Sequence, residues 1–301
     1  MSLKNGIFIL SFTVLFTNLV NAQANLLNAT IPEEVGVKTE AQLAADNDEP
    51  LPYGYIDDRD ILWSKMVWEY MDLNEKMNLP FYYPADTSNI DPNRRSLYDT
   101  LLRGIRSGEI IDVYDDSYFT TRLTRDEIEK TLVKIDTTDA GIEQFNFGEP
   151  VSEENINIRY MQSADIQAYK LKGLFYFDKR HGELRYRMLG IAPVSPDINF
   201  IDENDNTELT EYVELFWVWY PSARELLHKM KVFNPKNAAY PLSYDLLLTA
   251  RRFSSLIYRE ENVYGNRDIS EYIKNNALFQ VLEAMKIKEN IRNKEIDMWN
   301  Y

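Results

Sequence analysis

The sequence predicts an α+β fold in which two related strand–helix–helix–strand–helix halves flank a β-hairpin insert and follow an extended arm. Three observations predict it: one structural phrase runs twice, helix-capping patterns recur at corresponding places in both runs, and a hairpin signature lies between them. The first copy reads Trp68…Asp72-x-x-Glu75…Pro84…Tyr98-Asp99-x-Leu101-Leu102…Val113-Tyr114…Thr124-x-x-Glu127. The second reads Trp219…Ser222-x-x-Glu225…Pro235…Tyr244-Asp245-x-Leu247-Leu248…Val263-Tyr264…Asp268-x-x-Glu271. The order is preserved and the Trp-to-Pro interval is sixteen in both, whereas later intervals differ. Internal repetition constrains architecture before any single motif does.

Residues 1–24 read as a secretory signal peptide. Lys4 gives the positive start, Ile7 to Phe16 the apolar stretch, and Val20-Asn21-Ala22 or Ala22-Gln23-Ala24 the cleavage site. The apolar stretch is short for a membrane span. Residues 25–52 are poor in aromatics, rich in Ala, Asn, Asp and Glu, and carry Pro32, Pro50 and Pro52, which predicts an extended arm. Such an arm either orders on a partner or serves as a tether. Residues 53–150 form the predicted N-terminal half, 151–203 the hairpin insert and 204–301 the C-terminal half.

By periodicity alone, Ile61 to Met77 suits a single helix capped by Asp60. The second copy argues for a strand instead. Tyr212 to Tyr220 is β-branched and aromatic, and Pro221 disfavours a helix running through it. Mapped back, Lys65–Tyr70 becomes a strand, and Asp72-x-x-Glu75, like Ser222-x-x-Glu225, the capping box of a helix. Aromatic, proline-bearing loops follow at Leu79–Pro84 and Val232–Pro235. The next helix buries Leu97, Tyr98, Leu101, Leu102 and Ile105 and ends at Gly108. Its counterpart after Ser243 turns Leu246, Leu247, Ala250, Phe253, Leu256 and Ile257 inward. Short strands at Ile110–Tyr114 and Val263–Tyr264 lead to third helices opened by Thr124/Glu127 and Asp268/Glu271.

Between the halves, Gln167–Phe177 and Glu183–Ile191 are strand-like, joined by the turn Asp178-Lys179-Arg180-His181-Gly182. Ile269 to Trp299 reads as one long helix whose stripe of Ile273, Leu278, Val281, Leu282, Met285 and Ile291 packs on the protein's own core.

The chain has no cysteine, so an exported form folds without disulfides and is not lipidated on cysteine. Without the leader, 32 basic residues face 48 acidic ones. That balance argues against nucleic acid and against an anionic membrane surface. The 20 Tyr, 14 Phe and 5 Trp can serve the core or protein interfaces.

Chemistry is scarce. His181 and His228 have no metal-ligand spacing around them. Gly104-Ile105-Arg106-Ser107-Gly108 misplaces the serine of a hydrolase elbow, and no phosphate-cradling glycine loop occurs. Asp202-Glu203-Asn204-Asp205-Asn206 resembles a calcium loop, but Thr207 replaces the turn glycine and Val213 the bidentate Glu. Asp57-Asp58-x-Asp60 and Asp115-Asp116 could supply an acid pair for glycan hydrolysis, the alternative to an assembly part. The sequence predicts no cofactor, metal or catalytic residue.

The blocks Leu62-Trp63-Ser64-Lys65-x-Val67-Trp68, Asp72-Leu73-x-Glu75-Lys76-Met77-Asn78, Tyr82-Tyr83-Pro84, Gly190-Ile191-Ala192-Pro193 and Phe253-Ser254-Ser255-x-Ile257-Tyr258 occur in this order. Together they resemble the gliding-motility GldN proteins, also called PorN, from about Gly54 to the C-terminus. The resemblance implies a non-enzymatic periplasmic part of the type IX secretion and gliding apparatus of Bacteroidetes-like bacteria, peripheral to the outer membrane through a partner. It implies a ring-like assembly of copies of the chain with a GldK (PorK)-like outer-membrane lipoprotein, working beside the GldL–GldM (PorM-like) motor. It transfers no catalytic motif. The residues expected at partner contacts are Tyr53, Tyr55 and Trp63 near the arm–fold junction and Lys179 and Arg180 at the hairpin tip.

Overall fold

The longest strand pairing is the hairpin. In the computed structural model, β5 (Ala168–Asp178) and β6 (Glu183–Pro196) pair antiparallel from Asp178↔Glu183 to Ala168↔Val194, with a register shift at Lys172/Gly173. The model describes residues 48–86, 94–199, 212–232, 234 and 242–299, with Glu40 and Ala44. The predicted signal peptide, most of the arm and the Asp202–Asn206 stretch lie outside the described residues. The chain divides into two units, Met1–Glu49 and Pro50–Tyr301. The second carries everything that follows.

On one side of the hairpin, β1 (Ile61–Asp72) pairs with β5, and β11 (Leu256–Glu260) pairs with β1. On the other, β8 (Trp217–Trp219) pairs with β6, and β2 (Val113–Tyr114) with β8, while β7 (Tyr212–Glu214) pairs with the end of β6. The sheet order is β11-β1-β5-β6-β8-β2. The predicted α+β class and the hairpin are therefore present, with the hairpin as the centre of the sheet. The halves exchange strands across it, since β11 completes the first half's β1 and β2 completes the second half's β8.

Eight α-helices lie among the described residues. The helices α1 (Leu79–Tyr82), α2 (Leu97–Ser107), α5 (Tyr220–Lys229) and α6 (Tyr244–Thr249) cover the sheet face of Met71, Leu171 and Ile191, burying Phe81, Leu97, Leu101, Leu227 and Leu248. A second cluster joins Val67 and Ile257 to Ile269 of α7 (Ile269–Tyr272) and to Ala284, Ile287 and Ile291 of α8 (Ala277–Trp299). Strand alternation turns Trp68 the opposite way from Val67, into a third cluster with Trp217 and Phe119. There the Lys172 ammonium lies 5.1, 5.0 and 4.9 Å from the Trp68, Tyr118 and Phe119 rings and donates to the Ser117 carbonyl at 2.7 Å. Cation–π attraction and that bond hold a buried lysine in place. Two small sheets stand apart in the pairing: β9 (Lys231–Val232) with β10 (Leu242–Ser243), and β3 (Val133–Thr137) with β4 (Ile156–Tyr160), where α3 (Arg125–Thr131) precedes β3 and α4 (Asp139–Asn146) lies between the two strands in the chain.

Several local predictions hold. Ser96 accepts from the Asp99 N–H to start α2, and Gly108 ends it at φ 82°, a conformation that favours glycine. Thr124 and Glu127 form the complete reciprocal capping box of α3. Lys65–Tyr70 lies inside β1.

Others are corrected. Asp72 does not cap a helix: its carboxylate accepts from the Asn74 N–H at 2.8 Å in a local turn, and the next helix begins only at Leu79. Ser222 is inside the first turn of α5, donating to the Trp219 carbonyl, because Pro221 lets the helix begin at Tyr220. The helix after Ser243 stops at Thr249 and leaves Leu246 and Leu256 exposed. The chain turns at Arg251 (φ 50°), sending its guanidinium 2.8 Å from the buried Glu69 carboxylate, and Leu256–Glu260 then pairs as β11. Val263 and Tyr264 are exposed outside any strand. Of Ile110–Tyr114 only Val113–Tyr114 is strand. Asp268 makes no side-chain cap bond to α7 because its carboxylate pairs with Arg259. The predicted C-terminal helix breaks between Tyr272 and Ala277, with Asn275 at φ 58°, and Leu278, Leu282 and Met285 face out.

A duplication of the halves is not established, and their corresponding helices are set differently. Ser96 lies two residues before Tyr98, but Ser243 lies directly before Tyr244. A one-residue slip rotates a helix by about 100°, so the shared Tyr-Asp pairs face different partners. Asp99 pairs with Arg95 and Arg103, whereas Asp245 is buried against Arg224 at 2.8 Å and accepts from the Tyr220 hydroxyl. Asp245→Ala leaves the buried Arg224 charge unpaired. The expected cost is about 3–5 kcal/mol in urea unfolding, with a much smaller loss for the paired change Arg224→Met/Asp245→Leu.

Candidate partner-binding groove

Between Glu183 and Met188, β6 pairs only with β5 among the described residues. Pro52–Ile56 adjoins that edge without forming a ladder, held by arginines. Arg187 donates to the Gly54 carbonyl at 2.9 Å, Arg180 to the Tyr55 carbonyl at 3.1 Å and Arg224 to the Leu51 carbonyl at 2.6 Å. Tyr53 fills the space below, its ring 4.7 Å from the Arg187 guanidinium and 4.2 Å from that of Arg224. Burial pushes the Tyr53 phenol up to about 12 against the nearby arginines, which pull it down.

What remains open is a groove of about 470 Å³ lined by Pro52–Ile56, Tyr176, Arg180, His181, Arg185, Tyr186 and Arg187. The hairpin turn fixes its end. Asp178 accepts from the Arg180 backbone and guanidinium and from His181 Nδ1, and its carboxyl is held well below the usual carboxylate range, first by Arg180. Arg180 also reaches Asp60 at 3.4 Å, and Arg185 pairs with Glu183 at 3.3 Å. Arg187 has no carboxylate partner among the described residues. Among the described residues no carboxylate lines the groove. In a chain of net charge −15, a concavity walled by guanidinium groups and tyrosine faces suits an anionic, aromatic-bearing protein segment.

Of the residues expected at partner contacts, Tyr53, Tyr55 and Arg180 come together here, with Tyr55 80% exposed. Lys179 adjoins them in the turn, where its N–H donates to the Asp60 carbonyl. Trp63 does not line the groove: it packs half-buried on the α8 cluster. Sequence reading missed Arg185 and Arg187. Their signal was the spacing of two, which sets both on one face of β6.

The acidic pairs are not assembled. Asp57 accepts from Arg59 beside the hairpin turn, and Asp116 accepts from the backbone of Tyr118 and Thr120. Ile61 pairs at Asp178 of β5, whereas the Asp116 loop is tied to Lys172. Six residues of strand separate those points, about 20 Å. No group of three or more His, Asp or Glu that could hold a metal lies among the described residues. No described helix is long and apolar enough to cross a membrane.

The family model described as "Gliding motility associated protein GldN" matches residues 56–300. The chain belongs to the GldN family. The match spans the main sheet, the eight described α-helices and most of the groove lining, and it makes the protein a component of the gliding motility and type IX secretion machinery. No curated protein matches the chain.

The groove yields a pH prediction for this GldN-family protein. Tyr53 ionises near its ordinary value of 10.0 when unfolded and near 12 when folded. Both states are protonated below that window. Within it only the unfolded chain releases the proton, so stability falls as pH rises. Burial raises Tyr98, Tyr244 and Tyr258 in the same direction. Urea unfolding on either side of the window should show the loss, and Tyr53→Phe should reduce its slope.

Proposed function

We propose that the protein is a non-enzymatic structural subunit of the gliding and type IX secretion machinery, working in the periplasm. It co-assembles with copies of itself and with a GldK-like outer-membrane lipoprotein in a ring-like complex beside the GldM-like motor. Membership of the GldN family over residues 56–300 supports this role. The observation that carries the contact is the groove between Pro52–Ile56 and the edge of β6, where Arg185, Arg187 and the 80% exposed Tyr55 meet with no carboxylate of the described residues in the lining. Such a groove fits an acidic segment of the lipoprotein, with arginine and tyrosine as anchors.

Co-expression of the mature protein with its lipoprotein partner tests this. The two should elute together as a large complex. Tyr55→Ala/Arg185→Glu should weaken co-elution by about tenfold or more with melting little changed, and should fail to restore gliding and secretion to a deletion strain. Separate elution of the two wild-type proteins at micromolar concentration would count against the proposal.

A further inference from the structure

We infer that copies of the chain meet head to tail, the acidic β3–β4–α4 module of one seated on the α8 surface of the next. Both surfaces are exposed on the same molecule and they are complementary.

The module's open face is apolar. Its register sets Ile135 opposite Ile158 and Val133 opposite Tyr160, so these side chains share one face of the small sheet. Ile135, Ile158 and Tyr160 are 64%, 52% and 54% exposed. The helix α4 approaches that face at its Thr137 end, where a methyl on Gly141 would meet Thr137 and Val151, and it leaves Phe145 and Phe147 exposed. Residues 133–160 carry six carboxylates against two cations. Two modules meeting face to face would oppose like charges. An exposed apolar face rimmed by acid fits an apolar surface that is charge-balanced and offers an unpaired cation.

Such a surface runs along α8. Leu278, Leu282 and Met285 are spaced four and three apart and lie on one side of the helix, 68%, 48% and 56% exposed. At Met285 this stripe opens on a groove of about 660 Å³ whose walls include Met77, Leu184 and Phe253. Lys288, Glu289 and Arg292 also line it, and along α8 Lys286, Arg292 and Lys294 pair with Glu283, Glu289 and Asp297, so this surface is charge-balanced in a strongly acidic chain. Lys288 makes no ion pair among the described residues. Because the two surfaces are different, the contact is heterologous and a pair of copies keeps one free surface of each kind, so association propagates. The inference rests on the assembly reading above, but its test needs only the purified chain.

Sedimentation of the mature protein across the micromolar range provides that test. The wild type should associate beyond a pair as concentration rises. Ile135→Asp/Ile158→Asp and Leu282→Asp/Met285→Asp change exposed residues and should keep the wild-type circular dichroism and melting. Each alone should associate about tenfold more weakly or less. An equal mixture should form a species of two chains and no larger, because one variant keeps the module and the other keeps the α8 surface. A wild type that stays monomeric, a variant that associates like wild type, or a mixture that stays monomeric would overturn the inference. Co-elution of the same variants with the lipoprotein partner would leave the assembly reading standing if the head-to-tail contact failed.

Discussion

The antiparallel pairing of β5 with β6 is the constraint on which the rest of the structure depends. The strands on one flank of the main sheet, β11 and β1, reach those on the other, β7, β8 and β2, through it. Its turn is locked by Asp178, fully buried and bonded to Arg180 and His181. On one flank β5 sets the register of β1 along nearly its whole length. On the other, Gly190 and Ile191 of β6 receive Trp219 and Val218 of β8. Each face of β5 is covered by a different cluster, so a slip in the hairpin would exchange Leu171 and Lys172 between the helix-covered core and the Trp68 cluster. The helices follow from that choice, since α2, α5 and α6 cover one cluster on the face that β5 presents and α8 covers another.

The same pairing makes the groove. The strand β6 is longer than the strands that pair with its far side, so no second strand among the described residues pairs with Glu183–Met188. Unpaired edges invite pairing with other chains. Here the edge is covered by Pro52–Ile56, which arginine side chains tie down by its carbonyls. The result is a polar, cationic concavity rather than an open ladder. In the proposed role, function resides in surfaces that the sheet positions. The buried polar groups that could be mistaken for chemistry, such as Glu69 with Arg251 and Asp245 with Arg224, hold one segment to another.

How much of this was legible in the sequence depended on range. Features set within a few residues were readable: the glycine that ends α2, the Thr124–Glu127 box, the hairpin turn, and the strand at Lys65–Tyr70 once Pro221 was considered. Features set by distant partners were not. No local signal says that β11 pairs with β1 or β2 with β8, and the exchange gives the hairpin its central place. The helix after Ser243 looked long because Ala250, Phe253 and Ile257 kept helical spacing. A left-handed Arg251 reaching for Glu69, 182 positions away, ends it. The α8 stripe was found, but its spacing could not show that Ala284, Ile287 and Ile291 would take the core side and leave Leu278, Leu282 and Met285 outside. At the groove, Tyr53, Tyr55 and Arg180 were anticipated because they cluster near the junction and the turn. Trp63 was drawn the other way by strand alternation.

Native-state hydrogen exchange tests the central place of the hairpin most directly. If β5 and β6 carry the sheet, amides such as Leu171, Phe175, Tyr186 and Ile191 exchange only through global unfolding, while those of β11 and β2 open earlier. Exchange of the β5–β6 amides at a lower opening free energy than those of β11, with the rest of the sheet still protected, would contradict the account.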